Sequence, residues 1–254
     1  MSTDIVSIRV GARRFAPRPL MTLAALGAIA GFVALGRWQL ERAHEKQALY
    51  DAFAAGSDST RVLTSEAPPL PRFQHVVLRG RFDPAHQILI DNMSDAAGRV
   101  GYYVITPFAL EDGAFILVNR GWVPLGPSRA ARPPIAIDSG TRTLHGRTDH
   151  LPLPGIRLGP DPALDAPFPV VANFPTHAQI ERLLGLPPAR WAHGAELVLL
   201  DAAEPGGYVR AWTAPGFPPM RHIAYAVQWF GLGLALAVIY VVTNLRPTRA
   251  EPSA

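Results

Sequence analysis

The chain has 254 residues, 48% of them hydrophobic, with 26 prolines, 22 glycines and a mean hydropathy of +0.12. That is high for a soluble protein and low for one built mainly of membrane helices, so a few spanning helices plus one sizeable polar domain fit it. Cysteine is absent, which excludes disulfides, CxxC redox chemistry, thiolate metal sites and covalent c-type haem attachment.

The net charge of +4 is not a nucleic-acid footprint, because of where it lies. Residues 1–18 carry Arg9, Arg13, Arg14 and Arg18 against Asp4, and residues 246–254 carry Arg246 and Arg249 against Glu251. The 18 basic and 18 acidic side chains between these ends cancel. All the excess sits outside two apolar segments, the pattern of positive-inside topology.

The first apolar segment, 19–36, is uncharged for eighteen residues, about 27 Å as a helix. A basic segment before an apolar run also describes a signal peptide, and Ala28-Ile29-Ala30 resembles a cleavage site. That triplet lies inside the run rather than after it, which favours a retained anchor. Gly27 and Gly31 make a GxxxG pair that permits close approach by another helix, although glycine is also simply common in membrane helices. Trp38, Arg37 and Arg42 follow, suited to the interface, and three- and four-residue spacing from Leu40 to Tyr50 carries the helix to about Phe53. A proline-containing polar stretch, 56–71, ends it.

Strands follow. Residues 75–82 and 86–91 are β-rich runs joined by Asp83-Pro84-Ala85, which predicts a hairpin. Runs 99–108 and 114–122 meet across Glu111-Asp112-Gly113, a second turn signal. Strands are also expected at 143–148, 195–201 and 207–212, with proline-rich loops at 124–134 and 151–169. One helix, His177 to Leu184, carries its own punctuation: Thr176 as N-cap, Gln179 completing a capping box and Gly185 as the stop. The 175 residues from Lys46 to Met220 are enough for one core.

The second apolar segment runs uncharged from Ile223 to Leu245, roughly 34 Å of helix. The fold class is therefore a membrane protein with two transmembrane α-helices flanking one β-rich α+β extracytoplasmic domain. Its parts are a basic tail (1–18), helix 1 (19–36), a periplasmic domain with an N-terminal helical extension (37–221), helix 2 (222–245) and a second tail (246–254). Basic ends on both sides put both termini in the cytoplasm and the domain across the bilayer.

No GxSxG elbow, P-loop, GxGxxG or HExxH occurs, and no two histidines stand at metal-ligand spacing. His222 differs by its place. It opens the second segment with Tyr225, Ala226 and Trp229 at i+3, i+4 and i+7, on one helix face. A neutral imidazole there can ligate iron, and Arg221 and Arg37 at a similar depth can pair with propionates; the alternative is that these side chains only anchor the helix at the interface.

The stretches LGRWQLERAHEK (35–46), GRFDPAHQILIDN (80–92), GRVGYYVITPF (98–108), LVNRGWVP (117–124) and GYVRAW…PPMRHIAYAVQWF (207–230) make the chain similar to the surfeit locus protein 1 (Shy1-like) family, closest to its proteobacterial branch. The resemblance covers essentially the whole chain except loops 126–138 and 155–173. It implies a non-enzymatic assembly factor of the inner (plasma) membrane for aa3-type cytochrome c oxidase. Such a factor assists delivery or insertion of haem a into subunit I, with subunit I and haem A synthase as partners. A haem-free scaffold for a subunit I intermediate is the alternative. The family's proposed haem ligand falls on His222, with Tyr225, Trp229, Arg221 and Arg37 around it. Asn119, Arg120, Gly121 and Trp122 are expected either to dock on the oxidase or to close the fold.

Overall fold

The computed structural model describes residues 8–10, 13–56, 59–128, 131–154, 164 and 167–247. The outer parts of both basic tails and most of the second proline-rich loop, 155–163 and 165–166, lie outside these residues. In chain order the elements begin with β1 (Ile8–Val10), β2 (Arg13–Phe15) and α1 (Pro19–Ala55). Then come β3 (Arg61–Val62), β4 (His75–Phe82), β5 (Ile88–Ser94), β6 (Val100–Leu110), β7 (Phe115–Pro124) and β8 (Arg142–Asp149). The last group is β9 (Val170–Ala172), α2 (His177–Leu184), β10 (Leu197–Leu200), α3 (Pro219–Asn244) and β11 (Leu245–Pro247). They form two compact units, one of residues 1–51 with 214–254 and one of residues 52–213.

The first unit is a helix pair with a small sheet. Both α1 and α3 are long and apolar enough to cross a membrane by length and composition. α1 continues well past the apolar run, ending within two residues of the expected limit. Its covered positions recur at Thr22, Ala25, Ile29, Phe32, Gly36, Gln39 and Ala43, alternating by three and four. α3 answers with Pro219, His222, Ala226, Trp229, Gly233, Leu236 and Tyr240 at the same alternation. Such spacing keeps one narrow stripe of each helix against its partner, as in a coiled coil. The contacts follow it: Phe32 stacks on Trp229 at 5.9 Å, and Thr22 Oγ1 meets the Tyr240 hydroxyl at 2.7 Å.

The GxxxG expectation fails here. Gly27 and Gly31 are exposed, and a Cβ on either would meet nothing within 4 Å. The close approach is at Gly36 instead, where an added Cβ would stand 2.5 Å from the Phe230 ring. Glycine spacing permits close packing but does not say which face packs. The tails also hold more structure than a charged leader: β1, β2 and β11 form an antiparallel sheet joining both ends of the unit.

In the second unit the ladder closes on itself. β4 pairs with β8, β8 with β10, β10 with β7, β7 with β6, and β6 with β4, all antiparallel except β10 with β7. β4, β6 and β7 are successive around the ring and β8 returns beside β4, a Greek-key order closed into a five-stranded barrel. Inward residues Val76, Leu78, Phe82, Phe108, Leu110, Ile116, Val118, Leu144, Val198 and Leu200 fill it. A second apolar layer outside, including Ile88, Ile90, Ile105, Leu117, Leu197 and Leu199, is capped by Ile180 of α2 and by Trp191. The central strands are thus buried on both faces, as the unbroken burial of β7 from Ile116 to Val123 shows, and β7 accordingly opens on the apolar run Phe115–Val118.

The β6–β7 hairpin forms across Glu111-Asp112-Gly113, and α2 has the Thr176–Gln179 capping box with Gly185 left-handed at its end. Two strand expectations are corrected. β4 and β5 do not pair with each other: each lies on a different part of β6, and β9 adds to the outer edge of β5. The 207–212 run makes no strand ladder; it contributes a single bridge, Val209 to Trp122.

Candidate functional site

His222 stands in the first turn of α3, which starts at Pro219 after Pro218, with Pro supplying the helical φ where no intrahelical N–H is needed. Its Nδ1 lies 2.8 Å from Oε1 of Gln39 on α1. The amide oxygen accepts, so Nδ1 carries the proton and the Nε2 lone pair is left to accept. Gln39 is buried at 9% exposure, which makes this a fixed contact rather than a surface one. The pair spans the seam one turn from Gly36, where the Phe230 ring packs directly against the backbone of α1.

The other expected residues divide. Trp229 is half-buried in the seam, its ring taken by Phe32. Tyr225 is 49% exposed and flanks the seam rather than lining it. Arg221 is exposed with its guanidinium 4.2 Å from the Phe217 ring centroid. Arg37 is exposed on α1, two residues or about 3 Å of helix before Gln39. The geometry therefore joins His222 to Gln39 and puts Trp229 in the same seam two turns away, leaving Tyr225, Arg221 and Arg37 on the outside of the pair. Gln39 was missed in the sequence. Its signal was there: Phe32, Gly36, Gln39 and Ala43 continue one three-four stripe, with a polar residue where an apolar one is usual.

The donor set suits an axial ligand to a planar metal complex. A neutral imidazole held by its Nδ1–H to a carbonyl-type oxygen is the usual arrangement of a ligating histidine. Among the described residues no group of three or more His, Cys, Asp or Glu gathers to hold a bare metal ion. Several histidines of the barrel each have a carboxylate of their own: His86 with Asp83, His145 with Glu204, His150 with Glu196 and His177 with Glu181.

The NRGW motif of β7 is buried within the barrel unit, Trp122 in its outer apolar layer, which favours fold closure, of the motif's two readings, over docking. Asn119, Arg120 and Trp122 are each at most 3% exposed. Asn119 Oδ1 accepts from Gly121 N–H, and Trp122 Nε1 donates to the Met93 carbonyl at 2.9 Å. Gly121 has φ of +116°, a left-handed-side conformation that lets Tyr208 and Val209 pass close by. Arg120 donates to the carbonyls of Gly206 and Ile135 and to Gln87 Oε1, and lies over the rings of Phe82 and Tyr208. Burial pushes its guanidinium below the ordinary arginine range, opposed by the Tyr208 hydroxyl. These side chains hold the fold together through contacts within the barrel unit.

Residues 26–234 match the sequence model of the SURF1 family. A SURF1-like protein of Rickettsia felis is 28% identical over 216 residues, covering 83% of this chain and 90% of its own length. Surfeit locus protein 1 of Takifugu rubripes is 27% identical over 81% of this chain and 89% of its own, and that of Homo sapiens 27% over 84% and 74%. With the family match covering the barrel and reaching into the helix on either side of it, and proteobacterial relatives among the matches, the chain belongs to the SURF1 family.

Proposed function

We propose that this protein is a membrane-anchored, non-enzymatic assembly factor for an aa3-type cytochrome c oxidase that assists haem a delivery or insertion into subunit I. In this reading α1 and α3 cross the inner membrane, both termini are cytoplasmic and the barrel is periplasmic. The length and composition of the helices and the confinement of net charge to the tails support that topology.

The observation that carries the haem role is the Gln39–His222 pair, which presents Nε2 as a ready acceptor at one end of the apolar seam. His222 Nε2 would be the group that holds the iron were haem a bound here. Trp229 and Tyr225 offer aromatic surface near it, and Arg37 and Arg221 offer cations for the propionates. Subunit I receives the cargo, and haem A synthase is the partner that supplies it.

One observation favours the scaffold reading: His222 and Trp229 already have seam partners in Gln39 and Phe32, which a purely structural role also explains. The test is an absorption spectrum of the full chain purified from cells that make haem A. Haem a bands are expected for the wild type and their loss for His222→Ala. Oxidase assembly supported by a wild-type protein that carries no haem a would leave the scaffold. Bands retained in His222→Ala would remove the assignment to that residue.

A further inference from the structure

Four histidines of the barrel unit, His86, His145, His150 and His177, each face a carboxylate, at 2.6 to 3.3 Å. His222 in the helix pair faces an amide instead, that of Gln39 at 2.8 Å. A carboxylate is close by in the sequence but on another face. Glu41 lies two residues beyond Gln39, about 200° around α1, and is exposed.

Gln39 is buried at a stripe position usually held by an apolar residue. Gly36 and Ala43 on its own stripe, and Ala226 one turn after His222, are small and buried too. A carboxylate in this seam would carry a desolvation cost that an amide does not. The choice also alters the imidazole. A neutral oxygen accepts the Nδ1–H bond and leaves the proton on nitrogen, so Nε2 stays an ordinary imidazole lone pair. A carboxylate makes a charge-assisted bond, roughly twice as strong, which raises the basicity of Nε2, favours oxidised iron and tightens its hold.

We propose that Gln39 is a positioning residue that sets how firmly His222 holds haem iron. Its oxygen fixes the Nδ1–H tautomer and so keeps Nε2 as the free ligand, while its neutrality keeps that ligand weak enough to let the cargo leave. The inference rests on the haem-delivery reading of the site. A delivery protein needs both properties, because it must bind its cargo and then give it up.

The test uses the full chain purified from cells that make haem A. Gln39→Leu keeps the bulk and removes the acceptor; Gln39→Glu keeps the reach and adds charge. The readouts are haem a content, the midpoint potential of the bound haem and its rate of transfer to excess apomyoglobin. Gln39→Leu is expected to lower haem a content about tenfold at wild-type yield and helix content. Gln39→Glu is expected to keep the haem, slow its transfer about tenfold and lower the potential by about 59 mV, a tenfold gain of oxidised over reduced affinity for one electron. A residue that only packs the seam would leave potential and transfer unchanged in Gln39→Glu. That result, or wild-type haem content in Gln39→Leu, overturns the proposal. If Gln39→Leu fails to fold, Gln39→Glu alone decides. Haem a that is lost in His222→Ala but indifferent to both Gln39 variants refutes the role of Gln39 and leaves the haem reading standing. A wild type without haem a refutes that reading and the proposal with it.

Discussion

A guanidinium buried at 1% exposure whose donors go to neutral oxygens gains only if its fork is filled. Arg120 meets that condition with Gly206 and Ile135 carbonyls, Gln87 Oε1 and two aromatic faces. Arg120→Met keeps the bulk but strands those acceptors, so it should destabilise the barrel by about 3 kcal/mol or more. Arg120→Lys should recover little, since three donors on a point charge cannot reproduce a planar fork. Denaturant unfolding read by the buried Trp122 and Trp191 checks both; a loss under about 1 kcal/mol would sink the argument. The motif's residue types were plain in the sequence, but exposed docking and buried closure use the same letters. Which applied was settled by strands distant in the chain. His222 was legible because a polar residue at the start of an apolar helix is unusual wherever it points. Its partner Gln39, 183 residues away, was hidden in a stretch that reads as an interface segment.

At the scale of elements, the helix seam makes a sharp distinction between glycines. A Cβ added at Gly233 would stand 3.5 Å from Phe32 Cβ, within the range of a disulfide, and the chain has no other cysteine to interfere. Phe32→Cys with Gly233→Cys should therefore cross-link under mild oxidation. Adding Gly36→Leu should lower the yield several-fold, because its side chain drives into Phe230, whereas Gly31→Leu should not. Equal yields in the two backgrounds would place the seam elsewhere. The β6–β7 turn gives a pH-dependent case. Partial burial opposes charge on Asp112, but the amides of Ser65 and Ala114 donate to its carboxylate and hold it below the usual carboxylate range. Its contribution is then present above the unfolded value of about 4 and lost as pH falls through the lower folded one. Hydrogen exchange at the Ser65 and Ala114 amides should accelerate below that range in the wild type, and Asp112→Asn should show the faster exchange already at neutral pH. Local signals of this kind, and the α2 capping box, were readable because their determinants lie within a few residues. The β4–β5 hairpin was misread because strand partners are chosen by barrel closure, which no turn signal reports.

For the molecule as a whole, apolar exposure is divided unevenly between the two units. Among the described residues, the large hydrophobic side chains left exposed fall mostly on α1 and α3, and on the barrel unit they are Val62, Val100, Leu153 and Val209. Scattered exposure of that kind is ordinary for a soluble domain, whereas a stripe along two helices needs lipid or a partner. The barrel also has its own closed ladder and filled interior. Residues 52–213 alone should thus be soluble, with one cooperative unfolding transition and the Trp122 and Trp191 environments of the full chain. The same fragment should carry no haem a in cells that make it, since Gln39 and His222 both lie in the other unit. A fragment that aggregates or unfolds without a cooperative transition would show that the barrel depends on the helices. A folded fragment that retains haem a would move the ligand from His222 to the barrel, where the paired histidines would become the next to test.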